Sequence, residues 1–379
     1  MGVTLTKAAR TAFEITNELF IAVGSGIWGI AILANHGLKH NRFFGTSIIV
    51  SLTIASLLFA FRTNELCMPD RKKFIVITGC DSGLGFSLAL HASEMGFSVL
   101  AGCLNLESEG ACILASHQKQ GLICFKLDVT QNQSIENAMQ FIHDVLTEDK
   151  NNELWCVINN AGVMIFGEFE WLTNNLIQQQ INVNLLGTMQ VTKAISPLLR
   201  KHKSRLINVV SHCALATLPG LAVYGATKAG IYAFSDGIRV ELAKYGVRVV
   251  SFVPGSFPFQ SNIMLKQHDH SEEMRSAFTS EQEKFYGIYF KKYNSYLCAI
   301  SAMIKQPGKI YMKDLYENFE NALIAQHPKA LYIVEPMRYK YYHFFFKYSP
   351  YFIRDYLVNK FIMMPAFERP EDYTEYDLY

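Results

Sequence analysis

The hydrophobic pattern changes character twice along the chain. Two uncharged apolar runs come first: Leu19 to Ala34, 16 residues, and Phe43 to Phe61, 19 residues, with the polar turn NHGLKHNR between them. A helix that crosses a bilayer needs about 20 apolar residues, within a range of about 17–25. The pattern predicts membrane helices over 19–35 and 43–61, the first marginal in length. From Phe74 onward, short β-branched runs alternate with amphipathic stretches. Phe74 to Ile77 reads as a buried parallel strand. Leu84, Leu88 and His91/Ala92 continue at helical spacing, Gly96 stops the helix, and FSVLAGCL is the next strand. This βαβ unit predicts an α/β fold with a Rossmann-type doubly wound parallel sheet. Beyond Pro254 the pattern turns helical. SEEMRSAFTSEQEKFYGIYFKKYNSYLCAISAMI predicts one or two amphipathic helices, and IYMKDLYENFENALIA another. From Tyr339 to Phe361 there are eleven aromatics in 23 residues. That segment admits three readings: a packed helix completing the core, a membrane-surface patch, or a substrate mouth. The acidic end, FERPEDYTEYDLY, is expected to be loose. The expected organisation is a membrane anchor over 1–70, a dinucleotide-binding core over 71–257 and a mostly helical substrate and membrane-facing region over 258–379.

One short stretch tests the reading of the first region. GSGIWG, residues 24–29, fits G-x-G-x-x-G, yet it sits inside an apolar run. Position 49 is Ile, and no acid occurs between Glu18 and Glu65. A dinucleotide loop needs a preceding strand and an acid about 20 residues on. The glycines fit close helix packing in a bilayer instead, with Ala22/Gly26 and Ser25/Gly29 four residues apart. Lys7 and Arg10 precede the hairpin; Arg62, Arg71, Lys72 and Lys73 follow it; the turn holds only Lys39 and Arg42. This bias predicts both ends, and the catalytic domain, on the cytosolic side. Composition agrees with an anchored protein: half the residues are hydrophobic and 18% are charged. A net charge of +2 gives no footprint for nucleic acid. The eight cysteines are scattered, with no C-x-x-C and no paired Cys/His spacing, so reduced thiols and no metal are expected.

The phosphate-binding loop is TGCDSGLG, Thr78 to Gly85, between strand and helix. Its glycines allow a tight turn, and the helix N-terminus offers free N–H groups to a pyrophosphate. The spacing T-G-x-x-x-G-x-G resembles the short-chain dehydrogenase/reductase family. LDVT (Leu127–Thr130), NNAG (Asn159–Gly162), INVNLLG with Asn184, INVVS ending at Ser211, YGATK (Tyr224 to Lys228) and VPG (253–255) follow in the family's order. The resemblance implies cofactor contacts from Thr78, Gly79, Asp81, Ser82, Gly83, Leu84, Gly85, Asp128, Val129, Asn160, Ala161, Gly162, Tyr224, Lys228, Pro254 and Gly255. It implies a catalytic tetrad of Asn184, Ser211, Tyr224 and Lys228. The residue types suit the chemistry. A free tyrosine, with a pKa near 10, is a poor base at neutral pH. Lys228, one helical turn on, shares its face, and a cation there favours the tyrosinate. The Ser211 hydroxyl can hydrogen-bond the reacting oxygen. Neighbouring strand residues face opposite sides, so His212 is expected to face away from the site.

Cys103-Leu104-Asn105, after the second strand, carries no cation for a 2′-phosphate, so NAD is expected and NADP disfavoured. Glu107 is a weaker candidate for the ribose. Several segments, GFSVLAGCLN and KYSPYFIRDYLVNKF among them, resemble the family's membrane-associated branch of 17β-hydroxysteroid, retinol and D-β-hydroxybutyrate dehydrogenases. The resemblance implies oxidation of a secondary alcohol on a lipophilic substrate, at the endoplasmic reticulum membrane with mitochondria as the alternative, in a homodimer. A short hydroxy-acid dehydrogenase and a non-catalytic membrane scaffold stay open as alternatives.

Overall fold

The structure, a computed structural model, describes residues 66–255, 262–303, 308–361 and 364–369. The two expected membrane helices lie outside the described residues, as does 256–261 of the expected substrate-facing segment. Among the described residues, no helix is long and apolar enough to cross a membrane.

Seven strands form one parallel sheet in the order β3-β2-β1-β4-β5-β6-β7. They are β1 (Lys73–Thr78), β2 (Ser98–Cys103), β3 (Leu122–Lys126), β4 (Glu153–Asn159), β5 (Arg205–Val209), β6 (Arg248–Val253) and β7 (Leu331–Ile333). The connecting helices are α1 (Gly83–Met95), α2 (Glu109–Ser116), α3 (Asn132–Thr147), α4 (Asn174–Gln180), α5 (Thr188–His202), the short α6 (His212–Leu215) and α7 (Ala222–Ala243). A π-helical stretch, Ile181–Gly187, joins α4 to α5. The chain ends in α8 (Gln267–Ser276), α9 (Ser280–Ala302), α10 (Lys313–Ile324), α11 (Met337–Tyr348) and α12 (Tyr351–Phe361).

The strands read as continuous apolar runs because both faces are covered. Ile75 and Ile77 point to the layer that contains Leu88 and Ala92 of α1 and Phe319 and Leu323 of α10. Phe74 and Val76 point to the opposite layer, with Ile135 and Ile142 of α3 and Val191, Ile195 and Leu199 of α5. The doubly wound sheet expected from the βαβ pattern is therefore present. Strand β7 adds an edge that the pattern did not reveal. The segment expected as one or two helices after Pro254 is two, because Thr279 starts α9 with a reciprocal capping box to Gln282.

Sheet and loops meet closely where α2 begins. A Cβ placed on Gly110 would lie 2.0 Å from the Asp81 carbonyl oxygen. Gly237, on α7, has nothing within 4 Å. Gly110→Ala should therefore destabilise the fold by about 1–3 kcal/mol through overpacking. Gly237→Ala should stabilise it by about 0.5–1 kcal/mol through helix propensity. Urea midpoints of the two variants against the parent check the opposite signs.

Candidate active site

The C-terminal ends of β1, β4 and β5 converge on one edge of the sheet, where open α/β folds bind ligands. The Thr78 hydroxyl, buried at the end of β1, accepts hydrogen bonds from Asn160 N (3.0 Å) and Ala161 N (2.9 Å). The Asn160 amide returns the link, donating to the carbonyls of Thr78 (2.9 Å) and Gly79 (3.1 Å). Gly79 takes φ +71°, and a Cβ on Gly85 would stand 2.2 Å from the Gly79 oxygen. Ser82 precedes α1 without capping it by its side chain. Gly83, Leu84 and Gly85 thus open the helix with N–H groups available to an anion. This cradle fits a dinucleotide pyrophosphate.

Two acids of the expected cofactor set make hydrogen bonds within the protein. Asp81 spends both carboxylate oxygens on the backbone N–H groups of Leu104 (2.8 Å) and Asn105 (2.6 Å). It therefore shapes the loop after β2 rather than reaching freely for a ligand. Asp128 accepts from the N–H (2.9 Å) and hydroxyl (2.7 Å) of Thr130 through one oxygen. Val129 is buried against Gly187 of the π-helical stretch. The loop after β2 also holds a cation that the sequence did not place there: the Lys126 ammonium donates to the Leu104 carbonyl. Glu107 is exposed. Pro254 and Gly255 follow β6, with Gly255 against the Val334 carbonyl.

The four expected catalytic residues come together beside this cradle. Asn184 is fully buried on the π-helical stretch. It accepts from Val163 N (2.8 Å) and donates to Val163 O (2.9 Å) and to Thr227 Oγ1 (3.1 Å). Gly162 leaves room for it: a Cβ there would lie 3.3 Å from Asn184 Oδ1 and 3.5 Å from Lys228 Nζ. Tyr224 and Lys228 lie on the buried face of α7. Lys228 Nζ donates to the Val209 carbonyl (3.0 Å) and stands 5.9 Å from the centre of the Tyr224 ring. The Ser211 hydroxyl is hydrogen-bonded with the Tyr224 phenol and accepts from Cys213 N (3.2 Å).

One expectation is corrected here in its reason. Strand β5 ends at Val209, so Ser211 and His212 do not alternate across a strand. Ser211 instead caps α6, and His212 faces away because the helix turns it towards Val334. Burial and then the Cys213 thiol push the phenol well above its ordinary value, against the Ser211 hydrogen bond. Burial likewise brings Lys228 down to about 8, and it pushes the Cys213 thiol up to about 11.

Tyr224 packs with Cys213 and Leu221, and with Met164, Phe166 and Leu218. Met164 and Phe166 also border a second apolar cluster around Trp171. The Trp171 ring meets those of Tyr286, Tyr289, Phe290 and Tyr293 edge-on at 5.1–5.9 Å. A cavity of about 260 Å³ lies among Glu168, Pro219, Tyr289, Tyr293, Asn359, Met364 and Pro365. The aromatic floor was not legible as a site, because its members come from α9 and from a 3₁₀ turn over a hundred residues earlier.

Sheet, glycine cradle and buried tyrosine–lysine pair define a dinucleotide-dependent oxidoreductase. Sequence comparison makes the family explicit. The short chain dehydrogenase model matches residues 73–269. Estradiol 17-beta-dehydrogenase 2 of Rattus norvegicus is 32% identical over 341 residues, covering 89% of this chain and 86% of that protein. Retinol dehydrogenase 7 of Rattus norvegicus is 33% identical over 279 residues, 73% of this chain and 85% of that one. The mitochondrial D-beta-hydroxybutyrate dehydrogenase of Bos taurus is 39% identical over 191 residues, 50% and 55% of the two chains. The chain belongs to the short chain dehydrogenase family, whose oxidoreductases act on CH–OH groups with a nicotinamide cofactor.

The buried lysine has a pH signature. Its folded pKa is about 8 against an ordinary 10.5. Below pH 8 the lysine is charged in both states, and the buried charge costs stability. Between pH 8 and 10.5 the unfolded chain holds the extra proton, so the lysine's penalty fades as pH rises. The stability of Lys228→Met relative to the parent should therefore fall steadily from pH 8 to pH 10. Paired thermal melts across that range measure it, and a flat difference would contradict the burial argument.

Proposed function

We propose that this chain is an NAD-dependent dehydrogenase that oxidises a secondary alcohol of a lipophilic substrate, steroid-like or retinoid. The observation that carries the reading is the joining of Ser211, Tyr224, Lys228 and Asn184 beside the glycine cradle. Bound nicotinamide supplies the hydride acceptor. Tyr224 first gives up its phenolic proton towards Lys228; the tyrosinate then takes the proton of the substrate hydroxyl, and the Ser211 hydroxyl holds the reacting oxygen by a hydrogen bond. Lys228, with a pKa of about 8, exchanges protons near working pH and so suits relay away from the tyrosine. Asn184 fixes the neighbouring backbone at Val163.

The apolar side chains packed with Tyr224, namely Met164, Phe166, Leu218 and Leu221, support a lipophilic substrate. A hydroxy acid would need a paired cation for its buried carboxylate. Among the described residues the buried Lys and Arg are Lys228 and Arg205. The latter donates to the Ala322 carbonyl and lies over Trp155. NAD is favoured because Cys103-Leu104-Asn105 lacks a cation and Lys126 is engaged by the Leu104 carbonyl. With NAD and a panel of steroids, retinol and 3-hydroxybutyrate, the purified protein should oxidise a lipophilic alcohol. Tyr224→Phe should lower kcat about 10²–10⁴-fold with nucleotide binding retained. Turnover of 3-hydroxybutyrate alone would select the hydroxy-acid reading, and full biological function in Tyr224→Phe the scaffold. A preference for NADP that Lys126→Ala abolishes would overturn the NAD assignment.

A second observation bears on where the enzyme works. Helices α11 and α12 bury Phe346 and Val358 but expose Tyr341, Phe344, Tyr348, Tyr351 (77%), Phe352 (75%) and Tyr356. Arg338, Lys347, Arg354 and Lys360 lie over aromatic rings of the same helices. Exposed aromatics interleaved with cations suit a bilayer interface. Of the three readings of this segment, this favours the membrane-surface patch, continuing the anchor expected over 1–70 at the endoplasmic reticulum membrane. In full-length protein reconstituted into brominated-lipid vesicles, the fluorescence added by Phe352→Trp should be quenched. That added by Val240→Trp, on exposed α7, should not be; equal behaviour of the two rejects the patch.

A further inference from the structure

The turn that presents Ser211 sends the next side chain the other way, into a compact cluster at the start of α11. His212 is buried, its side chain 9% exposed. Its Nε2 lies 3.2 Å from the Val334 carbonyl. A carbonyl only accepts, so this nitrogen carries the hydrogen and Nδ1 bears the lone pair. That Nδ1 has no hydrogen-bond partner. It lies 3.8 Å from Glu335 Oε2, and the same oxygen is 2.8 Å from Nδ1 of His343. One ligand atom from each of the three residues stands within 4.8 Å of the others. The two imidazole rings are 4.7 Å apart, and Tyr339 closes the cluster at 5.3 Å from His212 and 5.7 Å from His343.

A buried nitrogen lone pair facing no donor calls for an explanation, because buried polar atoms are nearly always paired. We propose that His212, Glu335 and His343 form a binding site for one divalent transition-metal cation of the zinc class. Two imidazoles and a carboxylate are a donor set that zinc accepts. Metal bonds of about 2.0–2.2 Å in tetrahedral geometry set donor atoms about 3.3–3.5 Å apart. The 2.8 and 3.8 Å separations lie on either side of that value, and the two imidazole nitrogens, within 4.8 Å of each other, draw together when the cation binds. The Val334 carbonyl orients His212 as an outer partner orients a metal-bound imidazole, holding the proton on the distal nitrogen. The expectation of no metal rested on local Cys/His spacing, and this cluster has none: its outer partner Val334 is 122 residues from His212. A cation there would clamp the serine turn to α11, and its binding is measured without turnover. The site is thus independent of the dehydrogenase reading.

Untagged full-length protein, stripped with a chelator and dialysed against zinc alone, should retain one zinc per chain by mass spectrometry of metals. Its melting midpoint should rise by several degrees, as ligand linkage requires. Glu335→Gln and His343→Ala should each weaken zinc binding at least ten-fold while keeping the parent's circular dichroism. Cobalt(II) bound to the parent should show the intense visible absorption of a tetrahedral nitrogen–oxygen site, which decides the matter should either variant fail to fold. Less than a fifth of an equivalent of zinc, variants that bind as tightly as the parent, or a cobalt spectrum of the octahedral aquo type would each overturn the proposal. The cluster would then be an ordinary histidine–carboxylate hydrogen bond.

Discussion

The buried hydroxyl of Thr78 accepts two backbone hydrogen bonds across the gap between β1 and β4, and the cofactor edge is built on that junction. Each such bond is worth about 0.5–1.5 kcal/mol net, but a buried donor left without a partner costs about 1–3 kcal/mol. Removing the hydroxyl would orphan both N–H groups at once. The geometry matters as much as the energy. With Asn160 bonded back to Thr78 and Gly79, the glycine loop cannot shift relative to the end of β4. Gly162, two residues on, is then fixed where its missing side chain lets Asn184 and Lys228 approach. The pyrophosphate cradle and the proton-handling residues are two ends of one hydrogen-bonded segment.

Burial governs the chemistry of those residues. Tyr224, Lys228 and Cys213 occupy one apolar pocket, and desolvation is the first cause of the shift in each. It disfavours the charged form of all three: phenol and thiol rise, and the ammonium falls. Lys228 is thereby poised close to neutrality, while the thiol stays protonated. Among the described residues, the lysine's hydrogen bond goes to the Val209 carbonyl. The pocket thus pays in stability for a proton exchanger at working pH, and the fold tolerates it because two large apolar layers clamp the sheet beneath.

Local features of the sequence survive folding unchanged, and non-local ones do not announce themselves. TGCDSGLG works through contacts within eight residues and one strand end, so its glycines were readable. Tyr224 and Lys228 share a face because four residues make about one turn of any helix. Asp81 was readable as part of the loop but not in its partner: its carboxylate turns to Leu104 and Asn105, 23 and 24 residues on. Lys126 reaches the same loop only because β2 and β3 are in register there, Cys103 beside Lys126. The aromatic run after Tyr339 fixed neither its own break nor its exposure. The break falls at Ser349-Pro350, between α11 and α12. Which rings remain outside depends on the surface that the helices dock against.

His212 shows how a correct side can be assigned for the wrong reason. Alternation along a strand put it opposite Ser211, but the strand stops two residues earlier. What separates the two side chains is the cap. Ser211 holds extended backbone, φ −154° and ψ 157°, and spends an oxygen lone pair on Cys213 N while it meets Tyr224. The helix it starts then turns His212 outward to Val334. One turn therefore bonds to the tyrosine on one side and to the C-terminal segment on the other. Strand β7 runs directly into Val334, Glu335 and α11, so the edge strand that completes the sheet also delivers the groups that grip the serine turn from behind. The position of the Ser211 hydroxyl is consequently set both by its own neighbours Cys213 and Tyr224 and by Val334 from the C-terminal segment, which is why the C-terminal region belongs to the active site's framework and is more than a cover laid over it.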